Sequence, residues 1–134
     1  MKVCRLVLVL VPAIVLAGGC GGLKRVPVKG KVTYDGKPVE EGEITFIPQS
    51  KDVGPASGSH IVNGNYECSG KGAVLVGKCK VQITGTRVAK VKQDPNVPFV
   101  PKDQYIPEKY NKKTTLEFDV PESGPVEKNF DLTK

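Results

Sequence analysis

The side chains of this chain able to do covalent or metal chemistry are few. There are four cysteines, Cys4, Cys20, Cys68 and Cys79, and one histidine, His60, among 134 residues. No Ser/His/Asp set, no histidine-containing metal spacing and no glycine-rich phosphate loop ahead of a helix is present. Asp35, Glu40, Glu41 and Glu43 could in principle supply the two carboxylates of general acid/base chemistry. They fall in turn- and strand-like sequence, however, where carboxylates ordinarily sit in water. A metal held by two cysteines would find only His60 as a further soft ligand. The expectation is a protein that is not an enzyme, with no catalytic residues, no metal and no cofactor.

The cysteines divide by position. The first five residues carry Lys2 and Arg5, and an apolar run of twelve, Leu6 to Ala17, follows. A helix needs about 20 residues to cross a bilayer, so a permanent span is not expected. The run ends in Ala17-Gly18-Gly19-Cys20-Gly21-Gly22. A positive segment, an apolar segment and a small-residue cleavage site in that order make an export signal over 1–19. Leu16-Ala17-Gly18-Gly19-Cys20 resembles a bacterial lipobox, with Ala17 where an aliphatic residue is commonest. The resemblance implies cleavage before Cys20 and diacylation of its thiol. Plain secretion with cleavage after Gly19 is the alternative, since Ala17-x-Gly19 also fits the small-residue rule. Residues 20–25 then form a linker from the lipid to a domain spanning 26–134. Two acyl chains hold a soluble domain at a bilayer where one would be marginal.

Removing 1–19 takes Lys2 and Arg5 and leaves 18 basic against 14 acidic side chains, about +4. The basic residues are scattered and are not interleaved with stacking aromatics, so no nucleic-acid partner is expected. Cys68 and Cys79 remain as an even pair in an oxidising compartment. In Lys78-Cys79-Lys80-Val81-Gln82-Ile83 alternation places Cys79, Val81 and Ile83 on one face, and Tyr66 shares a face with Cys68. A Cys68–Cys79 disulfide is expected, worth about 2 to 3 kcal/mol on the loop-entropy model. Two buried thiols behaving as small hydrophobes are the alternative.

The elements that must position these residues read as short strands. Fifteen glycines and eleven prolines disfavour a helical bundle. Val26–Tyr34, Glu43–Pro48, Ser57–Val62, Asn65–Cys68, Lys78–Thr84, Thr114–Val120 and Val126–Leu132 show strand character. Asp35-Gly36 and Asn63-Gly64 are turn signals. Seven such strands predict an all-β, antiparallel sandwich. Gly85 to Lys113 breaks the pattern with Pro95, Pro98, Pro101 and Pro107. It is either a functional loop, a flap or a miscounted element. Within it Tyr105 and Tyr110 are candidate binding residues, and Tyr105–Asn111 could form one helical turn packing its aromatics on the sheet.

Val28-x-Gly30-x-Val32, Asp35-Gly36-Lys37-Pro38-Val39, Gly42-x-Ile44-x-Phe46, Asn63-Gly64-Asn65-Tyr66 and Gly77-Lys78-Cys79-Lys80-Val81 together resemble the carboxypeptidase regulatory-like, transthyretin-like sandwich. The stretch Ile106 to Asn111 with Thr114-Thr115-Leu116 resembles the version found in small bacterial surface lipoproteins. The likeness covers 26–133 and consists of turn and core residues, which speak to fold and hardly to activity. It implies an envelope lipoprotein, on the periplasmic face or at the outer membrane and cell surface. Its partners would be the membrane, through the lipid, and envelope proteins. The rival expectation is a small-ligand or carbohydrate-binding module using residues 85–113.

Overall fold

A computed structural model describes residues 22–50, 54–92 and 94–134. The signal segment and Cys20 lie outside the described residues. The strands are β1 (Arg25–Val26), β2 (Val28–Tyr34), β3 (Lys37–Pro38), β4 (Glu41–Pro48), β5 (Ser57–Val62), β6 (Asn65–Cys68), β7 (Val74–Leu75), β8 (Gly77–Val88), β9 (Lys102–Gln104), β10 (Glu117–Val120), β11 (Val126–Glu127) and β12 (Phe130–Leu132). Single 3-10 turns occupy Gly70–Gly72 and Glu108–Tyr110. About half of the described residues are in strands and none is in an α-helix, so the chain is all-β. Among the described residues no helix is long and apolar enough to cross a membrane.

The main sheet runs β10-β8-β4-β5-β6-β2-β11, with β12 and β3 also on β2 and β9 on β8. β1 and β7 form a separate antiparallel pair. Two turns set the local registers. Asp35 and Gly36 take φ of 48° and 76°, and Asn63 and Gly64 take 49° and 79°. Positive φ at both central residues is what a two-residue hairpin with native twist requires, and Asp-Gly and Asn-Gly supply it at least cost.

Alternation then sorts each strand. Val28 and Val32 are buried while Lys29 and Lys31 are exposed, and Cys79, Val81 and Ile83 point inward from β8. The sheet is curled. The Phe46 ring of β4 meets Tyr66 of β6 at 6.1 Å, Phe118 of β10 at 6.3 Å and Phe130 of β12 at 6.4 Å. Strands from both ends of the sheet therefore close on one ring. Around it Ile44, Ile61, Ile83, Val28, Val32 and Val81 make a dry core.

The outward face is polar and charge-matched across strands. Lys80 opposes Glu117, Lys78 opposes Asp119 and Lys29 opposes Glu67, arrangements that stabilise a solvated sheet face modestly.

The expectation of a purely antiparallel sheet needs correcting at the C-terminal end. Residues 126–132 are two strands, β11 and β12, and both pair parallel with β2. The chain leaves β10 at one end of the sheet and crosses to the other, so it returns beside β2 in the same direction. The break between the two strands falls at Lys128-Asn129, where Asn129 Oδ1 accepts a hydrogen bond from Lys31 N–H at 2.8 Å. Gly30 makes this crossing possible: a Cβ there would lie 1.8 Å from the Lys128 carbonyl oxygen.

Residues 85–113 are also more ordered than the sequence suggested. β8 continues to Val88, and β9 folds back on it with Thr86 opposite Gln104 and Val88 opposite Lys102. The tail of the region forms the short turn at Glu108–Tyr110. The prolines between 95 and 101 obscured a hairpin by removing alternation from its tip.

Candidate functional site

The thiols come first. Cys68 ends β6 opposite Val28, and Cys79 lies on β8 between Pro48 of β4 and Phe118 of β10. Both are buried, and both are free. The structure thus has two thiols where a bridge was expected. β4 and β5 stand between their strands in the sheet path, and the Cys79 thiol donates to the Phe118 carbonyl at 3.1 Å. Burial pushes Cys68 up to about 11. Burial, reinforced by the Asp119 carboxylate, pushes Cys79 up to about 11 against the lowering effect of the Phe118 bond. A thiol held protonated in this way is a poor nucleophile. Tyr66 lies in the same environment, its pKa raised by burial and then by the neighbouring thiols, and its hydroxyl donates to the Lys128 carbonyl at 2.7 Å.

Of the four carboxylates of the sequence, Glu40, Glu41 and Glu43 line one cleft together with His60 and Lys102, while Asp35 lines another. Glu41 is taken by Lys102 Nζ at 2.7 Å, Asp35 by Lys134 Nζ at 3.3 Å, and Glu43 faces His60 Nδ1 at 3.6 Å. His60 itself is an exposed residue of β5, with 82% of its side chain in water. Among the described residues no group of three or more His, Cys, Asp or Glu side chains is placed to hold a metal.

Tyr105 and Tyr110 are not brought together as an aromatic platform. Tyr105 packs edge-on against Tyr34, with centroids 5.7 Å apart and planes at 63°, and the Arg87 guanidinium covers its ring at 5.1 Å. Burial raises its pKa, followed by the Glu40 carboxylate, while Arg87 lowers it. Tyr110 is tied to the C-terminal strand: its hydroxyl accepts from Thr133 N–H at 3.1 Å, and Lys109 Nζ lies over its ring at 5.1 Å. The hydrogen bonds with Thr133 lower its pKa. Both rings act as cover for the core.

Beside Tyr34 and Tyr105 lies a cleft of about 520 Å³ that includes Lys37, Glu40 and Arg87 in its wall. Charges of both signs and rings already in contact give it no strong preference for one ligand class.

Asn111 was not singled out by sequence reasoning, yet it organises this region. Buried at 5% exposure, it donates from Nδ2 to the carbonyls of Ile106 and Pro107, each at 3.1 Å, and accepts at Oδ1 from Lys112 N–H at 2.8 Å. Gln104 reinforces it, bonding both the N–H and the carbonyl of Ile106. No periodic pattern announces a buried amide whose partners are backbone groups.

The tip of the β8–β9 hairpin has a different character. The Ala89 N–H donates to the Pro101 carbonyl at 2.9 Å and closes its base. Beyond that closure the apolar side chains point into water: Val91 is 59% exposed, Val97 45%, Phe99 69% and Val100 40%, and Val88, the last residue of β8 just before it, is 61% exposed. Lys90 and Lys92 are exposed among them. Four of the seven large exposed apolar side chains among the described residues belong to this tip. Scattered surface hydrophobics are ordinary, whereas a contiguous set marks a contact surface. The only sequence signal for it was negative, namely apolar residues without a period among prolines.

No family model, curated protein or solved structure matches this chain.

Proposed function

We propose that this chain is an exported, lipid-anchored contact module of a bacterial envelope, without enzymatic activity of its own. In this reading 1–19 is the signal, Cys20 carries the lipid, 20–25 is the linker, and 26–134 is a sandwich of the carboxypeptidase regulatory-like kind. The lipobox-like Leu16-Ala17-Gly18-Gly19-Cys20 supports the anchor. The curled all-β sheet agrees with the coarse architecture of a sandwich. The observation that carries the contact role is the concentration of exposed apolar side chains on one hairpin tip, while both thiols are buried. A Cys68–Cys79 disulfide formed after export belongs to the same reading, because an even pair of cysteines would meet an oxidising compartment there.

The rival is a small-ligand or carbohydrate module, favoured by the cleft at Tyr34, Arg87 and Tyr105. It is weakened by the occupation of the tyrosine faces by intramolecular partners.

Intact mass of the protein isolated from its native membranes, before and after reduction, tests the main reading. A chain beginning at Cys20 with added acyl groups is the expected result, with two hydrogens gained on reduction if the bridge forms. An unacylated chain recovered from the soluble fraction overturns the anchor.

A further inference from the structure

The hairpin tip extends past the Ala89–Pro101 closure as a run of residues that are exposed where described. Its apolar members, Val91, Val97, Phe99 and Val100, are exposed together, and Lys90 and Lys92 stand among them with no ion-pair partner among the described residues. The one acid of the tip, Asp94, is exposed and bonded to its own backbone: its carboxylate accepts from Asn96 N–H at 2.9 Å and its carbonyl from Val97 N–H at 3.0 Å. The tip therefore presents exposed apolar side chains beside two lysines and one aspartate, a net positive charge. A fluid surface with a negative face and an apolar interior complements both features. Two copies meeting tip to tip would bring four lysines and two aspartates together, a net positive charge that disfavours self-association through this element.

We propose that this tip docks on an anionic phospholipid bilayer, with Phe99, Val97, Val100 and Val91 entering the interfacial layer and Lys90 and Lys92 meeting headgroup phosphates. The inference rests on the tip alone and not on acylation of Cys20. It has a geometric consequence. The N-terminal strand lies at the start of β8, where Val76 N–H donates to the Lys24 carbonyl at 3.1 Å. The twelve residues of β8, rising about 3.3 Å each, carry the tip roughly 36 Å away. A chain held by both its N-terminus and the tip therefore lies with β8 along the membrane plane.

The chain contains no tryptophan, so Phe99→Trp in the full-length protein places a single reporter on the tip. Val62→Trp, on the exposed face of β5, is the control. Each variant is mixed with vesicles of phosphatidylcholine alone or containing phosphatidylglycerol, with and without brominated acyl chains. The expected result is emission shifted to shorter wavelength and quenched by bromine for Phe99→Trp on phosphatidylglycerol vesicles, with Val62→Trp unchanged. Lys90→Gln and Lys92→Gln in the Phe99→Trp background should each lower the concentration dependence of that shift about fivefold. Unchanged emission on phosphatidylglycerol vesicles overturns the proposal, as does an equal response on phosphatidylcholine alone. A blue shift without vesicles that grows with protein concentration also overturns it, in favour of a second copy. Loss of the N-terminal acyl group leaves the readout intact, so failure of the anchor and failure of the docking tip are distinguishable.

Discussion

Cys68 and Cys79 show how a residue's surroundings turn into a pH dependence. In the unfolded chain a thiol ionises near pH 9, whereas burial holds both of these at about 11. Below the unfolded value both states keep their protons and stability does not respond. Between the two values the unfolded chain releases protons that the folded chain retains, so stability falls as pH rises. Each thiol should contribute a loss on the order of 2 kcal/mol by the upper end. Urea midpoints measured under reductant should hold up to about pH 8 and then decline, less so in Cys68→Ala and Cys79→Ala. A decline of the same size in both variants would show that other groups cause it. Gly30 makes the second prediction at this scale. A methyl group there would sit 1.8 Å from the Lys128 carbonyl oxygen, a backbone atom that cannot rotate away. Gly30→Ala should cost about 3 kcal/mol or more, read as a lowered urea midpoint with a disturbed β2–β12 pairing by amide exchange. In the sequence Gly30 reads only as an inward strand position, because the chain it must accommodate arrives a hundred residues later.

At the scale of elements, the strands and hairpins were legible where the information is local. Asp35-Gly36 and Asn63-Gly64 carry their backbone preference in the dipeptide, and the alternation through Val28 to Thr33 or Cys79 to Ile83 needs no distant partner. The 104–114 cover was only partly legible. A single turn at Glu108–Tyr110 agrees with the expected helical turn, but what holds it is Asn111. Asn111→Ala removes a buried donor from two carbonyls and should cost about 2 kcal/mol. Amide exchange should accelerate selectively from Ile106 to Thr114. Uniform acceleration over the whole sheet would show instead that the amide supports the global fold. The parallel strands β11 and β12 were missed for a related reason. Strand direction is set by the edge at which the chain re-enters the sheet, and residues 126–132 carry no mark of that edge.

At the scale of the molecule, the curl brings four aromatic rings from β4, β6, β10 and β12 together around Phe46. Phe46→Ala should cost about 3 to 5 kcal/mol and lower the cooperativity of unfolding, since strands distant in the sheet path lose their common contact. Measurement of both the urea midpoint and the slope checks this. The hairpin tip predicts the opposite outcome. Val97→Ser together with Phe99→Ser removes side chains that are already in water, so thermal stability should move by less than about 0.5 kcal/mol while vesicle binding is lost. A large loss of stability would mean that the tip is packed in solution and is not a free contact surface.

The sequence alone determined the composition class, the alternation of each main strand, the two positive-φ hairpins and the scarcity of catalytic side chains, because all of these are carried by a residue and its near neighbours. Tertiary structure decided that Cys68 and Cys79 are buried, that Tyr105 and Tyr110 cover the core, and that Phe99 and its neighbours stand in water. Each of those outcomes depends on which distant strand arrives beside a residue, and that is settled by closure of the curled sheet around Phe46.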